Sequence, residues 1–170
     1  MGLFSFLKGA GARLFDRKEA EPATPTAPSP EVEAALRQQK IMLLRGALSD
    51  LGLEVTDLSL DLVGEQVTVY GEVDSQANRE KVVLALGNVY GISSVDDRLS
   101  VVIPEPESRF HEVKKGDTLS AISKTHYGSW KHYPAIFEAN KPMLSDPDKI
   151  YPGQMLRIPV MADVPFLPLA

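Results

Sequence analysis

The sequence has no cysteine and no long apolar run, and these absences exclude several classes of protein. Without cysteine there can be no disulfide, no thiolate zinc site and no cysteine nucleophile. A chain of this kind suits a reducing compartment. No stretch approaches the ~18 consecutive apolar residues of a membrane-spanning helix, so an integral membrane protein is not expected.

The chain also lacks a basic excess. The 170 residues carry a formal net charge of −5, and the acidic excess lies in residues 31–104. A duplex nucleic-acid binder normally presents a basic face, so no nucleic-acid partner is expected. The acidic excess is either a solvated surface that aids solubility or a field that favours a cation.

Catalytic signatures are missing as well. The histidines, His111, His126 and His132, have neither metal-ligand spacing such as H-E-x-x-H nor an obvious carboxylate partner in sequence. There is no nucleophile elbow and no phosphate-cradling glycine loop. The sequence therefore predicts a binding protein rather than an enzyme, with the histidines as surface or structural residues.

Proline, by contrast, is abundant, with 13 in the chain. The stretch 20–30, AEPATPTAPSP, predicts a semi-rigid linker, because proline fixes φ and removes amide donors. A second cluster at 103–108, IPEPES, predicts another linker. The chain is thus expected to comprise an amphipathic N-terminal segment at 1–19, domains at 31–102 and 109–159, and a tail at 160–170.

The first of these domains shows an α-β-β-α-β pattern. Ser29 as N-cap and Pro30 at the first position begin a helix that Gly52 ends. Alternating apolar residues on either side of Gly64-Glu65 predict a hairpin. A second helix follows the cap at Asp74-Ser75, and a last strand follows it. The first helix is expected to bury one apolar face, formed by Val32, Leu36, Leu43, Ala47 and Leu51.

Both domains resemble known families. Residues 67–101, from VTVYGEV to DDRLSV, resemble a BON domain, with an alternating strand ending in glycine, a helix and a Gly-Ile turn. Residues 109–159 resemble a LysM domain through HEVKKGDTLSAIS, IFEAN and IYPGQMLRIP. Asp117 or Thr118 would cap its first helix, and Gly128 would end it. The expected fold class is α+β, an αββαβ BON domain followed by a βααβ LysM domain.

The combination of an MGLF start, one BON domain and one LysM domain resembles the small bacterial potassium-binding protein family. This resemblance implies K⁺ as the ligand. In channels K⁺ is held by backbone carbonyls that replace its water shell, so turns and helix ends are the places to look for a site. The resemblance implies as ligands the backbone oxygens of Leu7, Ala10, Gly87, Val89 and Ile92. From the residues alone, Gly87 and Gly91 could equally be a helix cap and a turn.

The N-terminal segment has an apolar stripe at helical spacing. Such a helix could dock on the BON domain or lie on an anionic membrane surface. Its apolar run is short and is followed by basic residues, which is not typical of a signal peptide, so a cytoplasmic protein is expected. The stripe comprises Leu3, Phe4, Leu7, Ala10, Gly11, Leu14 and Phe15.

Two functions follow from the resemblance. In the first, a monomeric potassium sensor or buffer, K⁺ orders a compact conformation in which the LysM domain contacts the BON domain. In the alternative, the LysM domain binds N-acetylglucosamine polymers of peptidoglycan at the cell envelope. The resemblance places that second site at Gly116, Asp117, Thr118, Leu119, Asn140 and Ile150.

Overall fold

The computed structural model describes residues 2–6 and 28–169. In these ranges the α+β architecture is as predicted, with an αββαβ part followed by a βααβ part. The helices are α1 Pro30–Asp50, α2 Gln76–Gly87, α3 Leu119–Tyr127 and α4 Tyr133–Ala139, with a short 3₁₀ turn at Trp130–His132. The strands are β1 Gly2–Ser5, β2 Thr56–Val63, β3 Gln66–Ser75, β4 Ser94–Ile103, β5 Arg109–Glu112 and β6 Met155–Ile158.

The first part is a four-stranded sheet in the order β1-β4-β3-β2. Strands β2 and β3 form an antiparallel hairpin, whereas β3 and β4 run parallel, so α2 is the crossover between them. The core between helix and sheet includes Val67, Val69, Val83, Leu86 and Val95, all with at most 1% of their surface exposed. The carboxyl end of α2 is therefore held firmly against the sheet, which fixes the position of the turn that follows it.

The N-terminal residues 2–5 form an edge strand rather than the predicted helix. Strand β1 pairs antiparallel with β4, with Phe4 opposite Val95. Alternation then leaves Leu3 62% exposed and turns Phe4 inward. The helical interpretation was wrong here because a short apolar stretch fits both periods, and the open edge of β4 decides between them. The remaining stripe positions, Leu7, Ala10, Gly11, Leu14 and Phe15, lie outside the described residues.

Helix α1 begins as predicted, but only the carboxyl-terminal part of its predicted face is buried. The Ser29 hydroxyl accepts a hydrogen bond from the Val32 amide at 3.4 Å, with Pro30 in the first turn. The buried side chains are Leu44, Ala47 and Leu48, all near its carboxyl end. The prediction is confirmed for Ala47, and Leu51 packs against the core. It was wrong for the earlier turns, because about half of the surface of Val32, Leu36 and Leu43 is exposed.

The LysM-like part pairs β5 with β6 in an antiparallel ribbon against α3 and α4. Thr118 caps α3 by accepting the Ala121 amide at 3.1 Å, and Gly128 ends the helix with φ of 79°. A second core lies here, around Ile122, Ile136 and Leu156. None of the described helices is both long and apolar enough to cross a membrane.

The tail packs on the LysM-like part. The Leu167 amide donates to the His126 carbonyl at 2.7 Å, and Arg109 donates to the Leu167 carbonyl at 2.6 Å. The Phe166 ring stacks on Tyr127 with 5.5 Å between centroids, and the Arg109 guanidinium lies 4.2 Å from the Phe166 centroid. This contact gives the tail a structural role that its sequence did not reveal.

Candidate functional site

The turn after α2 contains three of the predicted potassium ligands. The helix ends with the Asn88 amide donating to the Leu84 carbonyl, and the Ile92 amide then donates to the Val89 carbonyl at 3.1 Å. Gly91, between them, has φ of 81°, a backbone conformation that favours glycine. The last carbonyls of a helix lack intrahelical partners and carry the negative end of its dipole. The turn is therefore an electronegative place on the backbone.

The carbonyl oxygens of this turn have capacity for a ligand. No backbone amide of a described residue donates to the oxygens of Gly87 or Ile92. Among the described backbone amides, that of Ile92 alone donates to the Val89 oxygen, and each carbonyl has two lone pairs. Ile92 anchors the turn, because its side chain is 1% exposed and belongs to the core. Gly87, Val89 and Ile92 are thus brought together on one rigid turn with oxygens that could contact a cation.

The N-terminal segment reaches the same turn. The Phe6 amide donates to the Ser93 carbonyl at 2.7 Å. The Phe6 ring lies directly over Gly87, so closely that a Cβ atom at Gly87 would be 2.0 Å from it. Phe6 directly precedes Leu7 in the chain. Leu7 and Ala10 themselves lie outside the described residues.

A lysine from α1 also contacts the turn. The half-buried Lys40 donates from Nζ to the Gly91 carbonyl at 2.9 Å. Residues 40 and 91 are far apart in sequence, and no motif links them, so sequence reasoning missed this contact. It places a fixed positive charge beside the predicted potassium ligands.

The LysM-like part is joined to the turn by Asn88. Its side-chain amide donates to the Met155 carbonyl at 3.3 Å and accepts from the Met155 amide at 3.3 Å. Asn88 is 3% exposed. Nearby, the Phe4 ring contacts Phe110 edge to face, with 5.2 Å between centroids. Segments from both ends of the chain therefore meet at the turn after α2.

A buried ion pair lies beside this junction. Glu80 on α2 and Arg157 on β6 are 4% and 8% exposed, and Oε2 of Glu80 accepts from Nε of Arg157 at 2.7 Å. The other carboxylate oxygen accepts from the Ser108 amide at 2.9 Å and from Gln76 at 3.0 Å. Burial alone would raise the pKa of Glu80, but these hydrogen bonds outweigh it and hold the pKa below its usual value. The carboxylate is fully paired.

The sequence matches two family models and is similar to known proteins. The LysM domain model matches residues 111–159, and the BON domain model matches residues 43–103. Potassium binding protein Kbp of Escherichia coli O6:H1 is 44% identical over 160 residues, which cover 94% of this chain and 99% of that protein. The chain belongs to the Kbp family. An uncharacterized protein of Deinococcus radiodurans is 32% identical over 142 residues, which cover 76% of this chain and 54% of that protein.

The predicted glycan-binding residues of this Kbp family member differ in exposure. Gly116 and Thr118 are exposed, although the Thr118 hydroxyl is engaged as the cap of α3. Leu119 is 3% exposed and Asn140 is 1% exposed. The Asn140 amide donates to the Ile136 and Arg157 carbonyls and accepts from the Arg157 amide. The side chains of Leu119 and Asn140 therefore have structural roles, and Ile150 is half-buried against the same core.

The histidine pair of the LysM domain has structural contacts, one of which was missed from sequence. His111 has a carboxylate partner after all, because its Nε2 lies 3.0 Å from Oδ2 of Asp117. Its Nδ1 lies 3.1 Å from Nε2 of His126, which is 2% exposed. Burial lowers the pKa of His126, and the neighbouring His111 and Arg109 lower it further. Among the described residues there is no cluster of three or more His, Asp or Glu side chains that could hold a metal ion.

Proposed function

We propose that this protein is a potassium-ion binding protein, a cytoplasmic sensor or buffer, whose ligands are backbone carbonyls of the BON domain and the N-terminal segment. The ligands from the turn after α2 are Gly87, Val89 and Ile92, and those from the N-terminal segment are Leu7 and Ala10. Kbp, named as a potassium binding protein, supports the choice of ion. The proposal is for a binding protein, and no catalytic step is part of it.

One observation carries this proposal, namely the contact of Phe6 with Gly87. The two segments predicted to supply carbonyls are remote in sequence, and the Phe6 ring leaves no room for a side chain at Gly87. Phe6 itself, which precedes Leu7 in the chain, is held at the turn by its amide bond to the Ser93 carbonyl at 2.7 Å. Carbonyl oxygens from two converging segments are the kind of ligand set that replaces the water shell of K⁺.

The same turn offers a route from ion binding to domain arrangement. Asn88 holds the LysM strand β6 through two hydrogen bonds, and Phe4 holds Phe110. A ligand stabilises the state to which it binds better, by an amount set by its differential affinity. We therefore expect K⁺ bound at Gly87, Val89 and Ile92 to favour the arrangement in which the LysM domain is docked.

Calorimetry with KCl and NaCl at matched ionic strength tests the proposed site. The wild-type chain should give a saturable heat with KCl that NaCl does not give. Gly87→Ala should weaken K⁺ binding at least tenfold, because the added methyl group would displace Phe6. Gly46→Ala is the matched control, since a Cβ there meets nothing within 4 Å. Equal heats with both salts, or equal affinity in Gly87→Ala and Gly46→Ala, would refute the proposed site.

Glycan binding is a second candidate, favoured by the match of the LysM domain model and by the exposed Gly116 and Thr118. A groove lined by these residues would contact sugar mainly through backbone groups. A pull-down on insoluble peptidoglycan distinguishes this function from the first. Retention that N-acetylglucosamine oligomers abolish would support it, and a chain that stays in the supernatant would contradict it.

A further inference from the structure

The contact between Lys40 and Gly91 has a consequence for ion binding. The Lys40 ammonium lies 2.9 Å from the Gly91 carbonyl, and a Cβ built at Gly91 would also be 2.9 Å from Nζ. The ammonium is thus packed closely against the backbone of the turn. Gly91 directly precedes Ile92 and lies two residues after Val89, so the charge lies on the same turn as these two proposed potassium ligands.

An ammonium group and K⁺ make similar demands on their surroundings. Both are monovalent and of comparable size, and an ammonium donates three hydrogen bonds to oxygen acceptors. A set of carbonyl oxygens that suits one therefore suits the other. Unlike free K⁺, the Lys40 ammonium is attached to α1 and cannot diffuse away, so it is present at the turn at every K⁺ concentration.

We propose that Lys40 is a tethered cation that opposes K⁺ at this turn and so sets the concentration at which the site fills. This inference rests on the proposed function above. Like charges repel across the short distance between neighbouring carbonyls, and K⁺ must also displace the ammonium from any oxygen that they share. A weaker site responds to K⁺ at higher concentrations, which is what a sensor or buffer of an abundant ion needs.

The expected size of the effect follows from Coulomb's law. For two unit charges about 6 Å apart in a medium of effective dielectric constant about 40, the repulsion weakens binding about tenfold. Lys40→Met removes the charge and keeps the length of the side chain. It should therefore lower the K⁺ dissociation constant about tenfold. Lys40→Arg keeps the charge and should stay within about threefold of the wild type.

The other interpretation is that Lys40 merely braces the turn. Lys40→Gln separates the two, because its amide can still donate to the Gly91 carbonyl but carries no charge. A tethered cation predicts tighter K⁺ binding in both Lys40→Gln and Lys40→Met. A brace predicts unchanged binding in Lys40→Gln and weaker binding in Lys40→Met. Lys124→Met, on the exposed side of α3, controls for the change in net charge.

Calorimetric titration of these variants with KCl distinguishes a tethered cation from a brace of the turn. Tighter binding in Lys40→Gln and Lys40→Met but not in Lys124→Met is the expected result. Binding that is unchanged or weaker in Lys40→Met overturns the inference, provided that the wild type binds K⁺. If the wild type itself shows no K⁺-selective heat, the proposed function fails, and the two failures are thereby distinguished.

Discussion

Removing the carboxylate of Glu80 should uncouple the LysM domain from the BON domain. In Glu80→Gln the side chain keeps its shape, but the Arg157 guanidinium loses the charge that lies 2.7 Å from it. Arg157 is 8% exposed, so water cannot replace the lost partner. Its remaining side-chain contacts are neutral, to the Ser108 hydroxyl at 3.1 Å and the Ala139 carbonyl at 3.4 Å.

The expected destabilisation is large, because breaking one partner of a buried ion pair costs about 3–5 kcal/mol. The pair itself is worth much less than this, since the desolvation of both groups offsets most of their attraction. Glu80→Gln combined with Arg157→Met should therefore recover much of the loss. The double-mutant cycle should give a coupling energy of at least ~1 kcal/mol between the two positions.

Urea unfolding offers a convenient assay because the chain has a single tryptophan. Trp130 lies in the LysM domain, so its fluorescence follows that domain, while far-ultraviolet circular dichroism follows the whole chain. Coincident transitions indicate that the domains unfold together. In Glu80→Gln we expect the fluorescence transition to move to lower urea and to separate from the dichroism transition.

Acid should produce a similar loss in the wild type. The hydrogen bonds to Glu80 hold its folded-state pKa below the unfolded value, which is about 4.3. Its stabilising contribution is thus present above that value and is lost as the pH falls through the folded-state pKa. A loss below ~1 kcal/mol in Glu80→Gln, or additive effects in the cycle, would refute the reasoning, because neither result fits a buried pair that joins the domains.

Two further predictions concern the turn and the histidine pair. Asn88→Ala removes both side-chain bonds to β6. Small-angle scattering should therefore show a larger radius of gyration than in the wild type and a smaller decrease of that radius when KCl is added. Equal radii of gyration in the variant and the wild type would contradict the proposed coupling. The lowered pKa of His126, caused by burial, His111 and Arg109, means that the folded state takes up fewer protons, so stability should fall as the pH drops below about 6.5. In thermal unfolding at pH 7.5 and 5.5, His126→Gln should flatten this dependence and His132→Gln should not; a slope unchanged in His126→Gln would contradict it.

Local signals explain why much of the fold was predictable from the sequence. Ser29 with Pro30, Thr118 and Gly128 act within a few residues of themselves, and each begins or ends a helix in the way its chemistry predicts. The edge strand β1 was missed because its partner, β4, is remote in sequence, with Phe4 paired to Val95. A stretch as short as GLFS contains no periodicity that could decide between helix and strand. The borders predicted for the N-terminal segment, the two domains and the tail remain predictions.

The candidate site likewise has features with a local sequence signal and features that depend on contacts remote in sequence. The turn at Gly87 to Ile92 could be found because glycines and a helix end leave a signature in the sequence. Lys40 could not, because a single lysine on the first helix looks like any solvated charge until the fold brings it to Gly91. A contact between a side chain and a backbone carbonyl that is remote in sequence leaves no local pattern.

The proposed backbone ligation would give the contacts that converge on this turn a common purpose. A carbonyl exists at every residue, so a site of this kind depends on the fold bringing several carbonyl oxygens together around the ion. Phe6 presses on Gly87, Ile92 is buried in the core, and Asn88 holds the LysM strand. Loosening any of these contacts should impair ion binding and domain docking together. A variant that lost one and kept the other would show that the turn is not their common element.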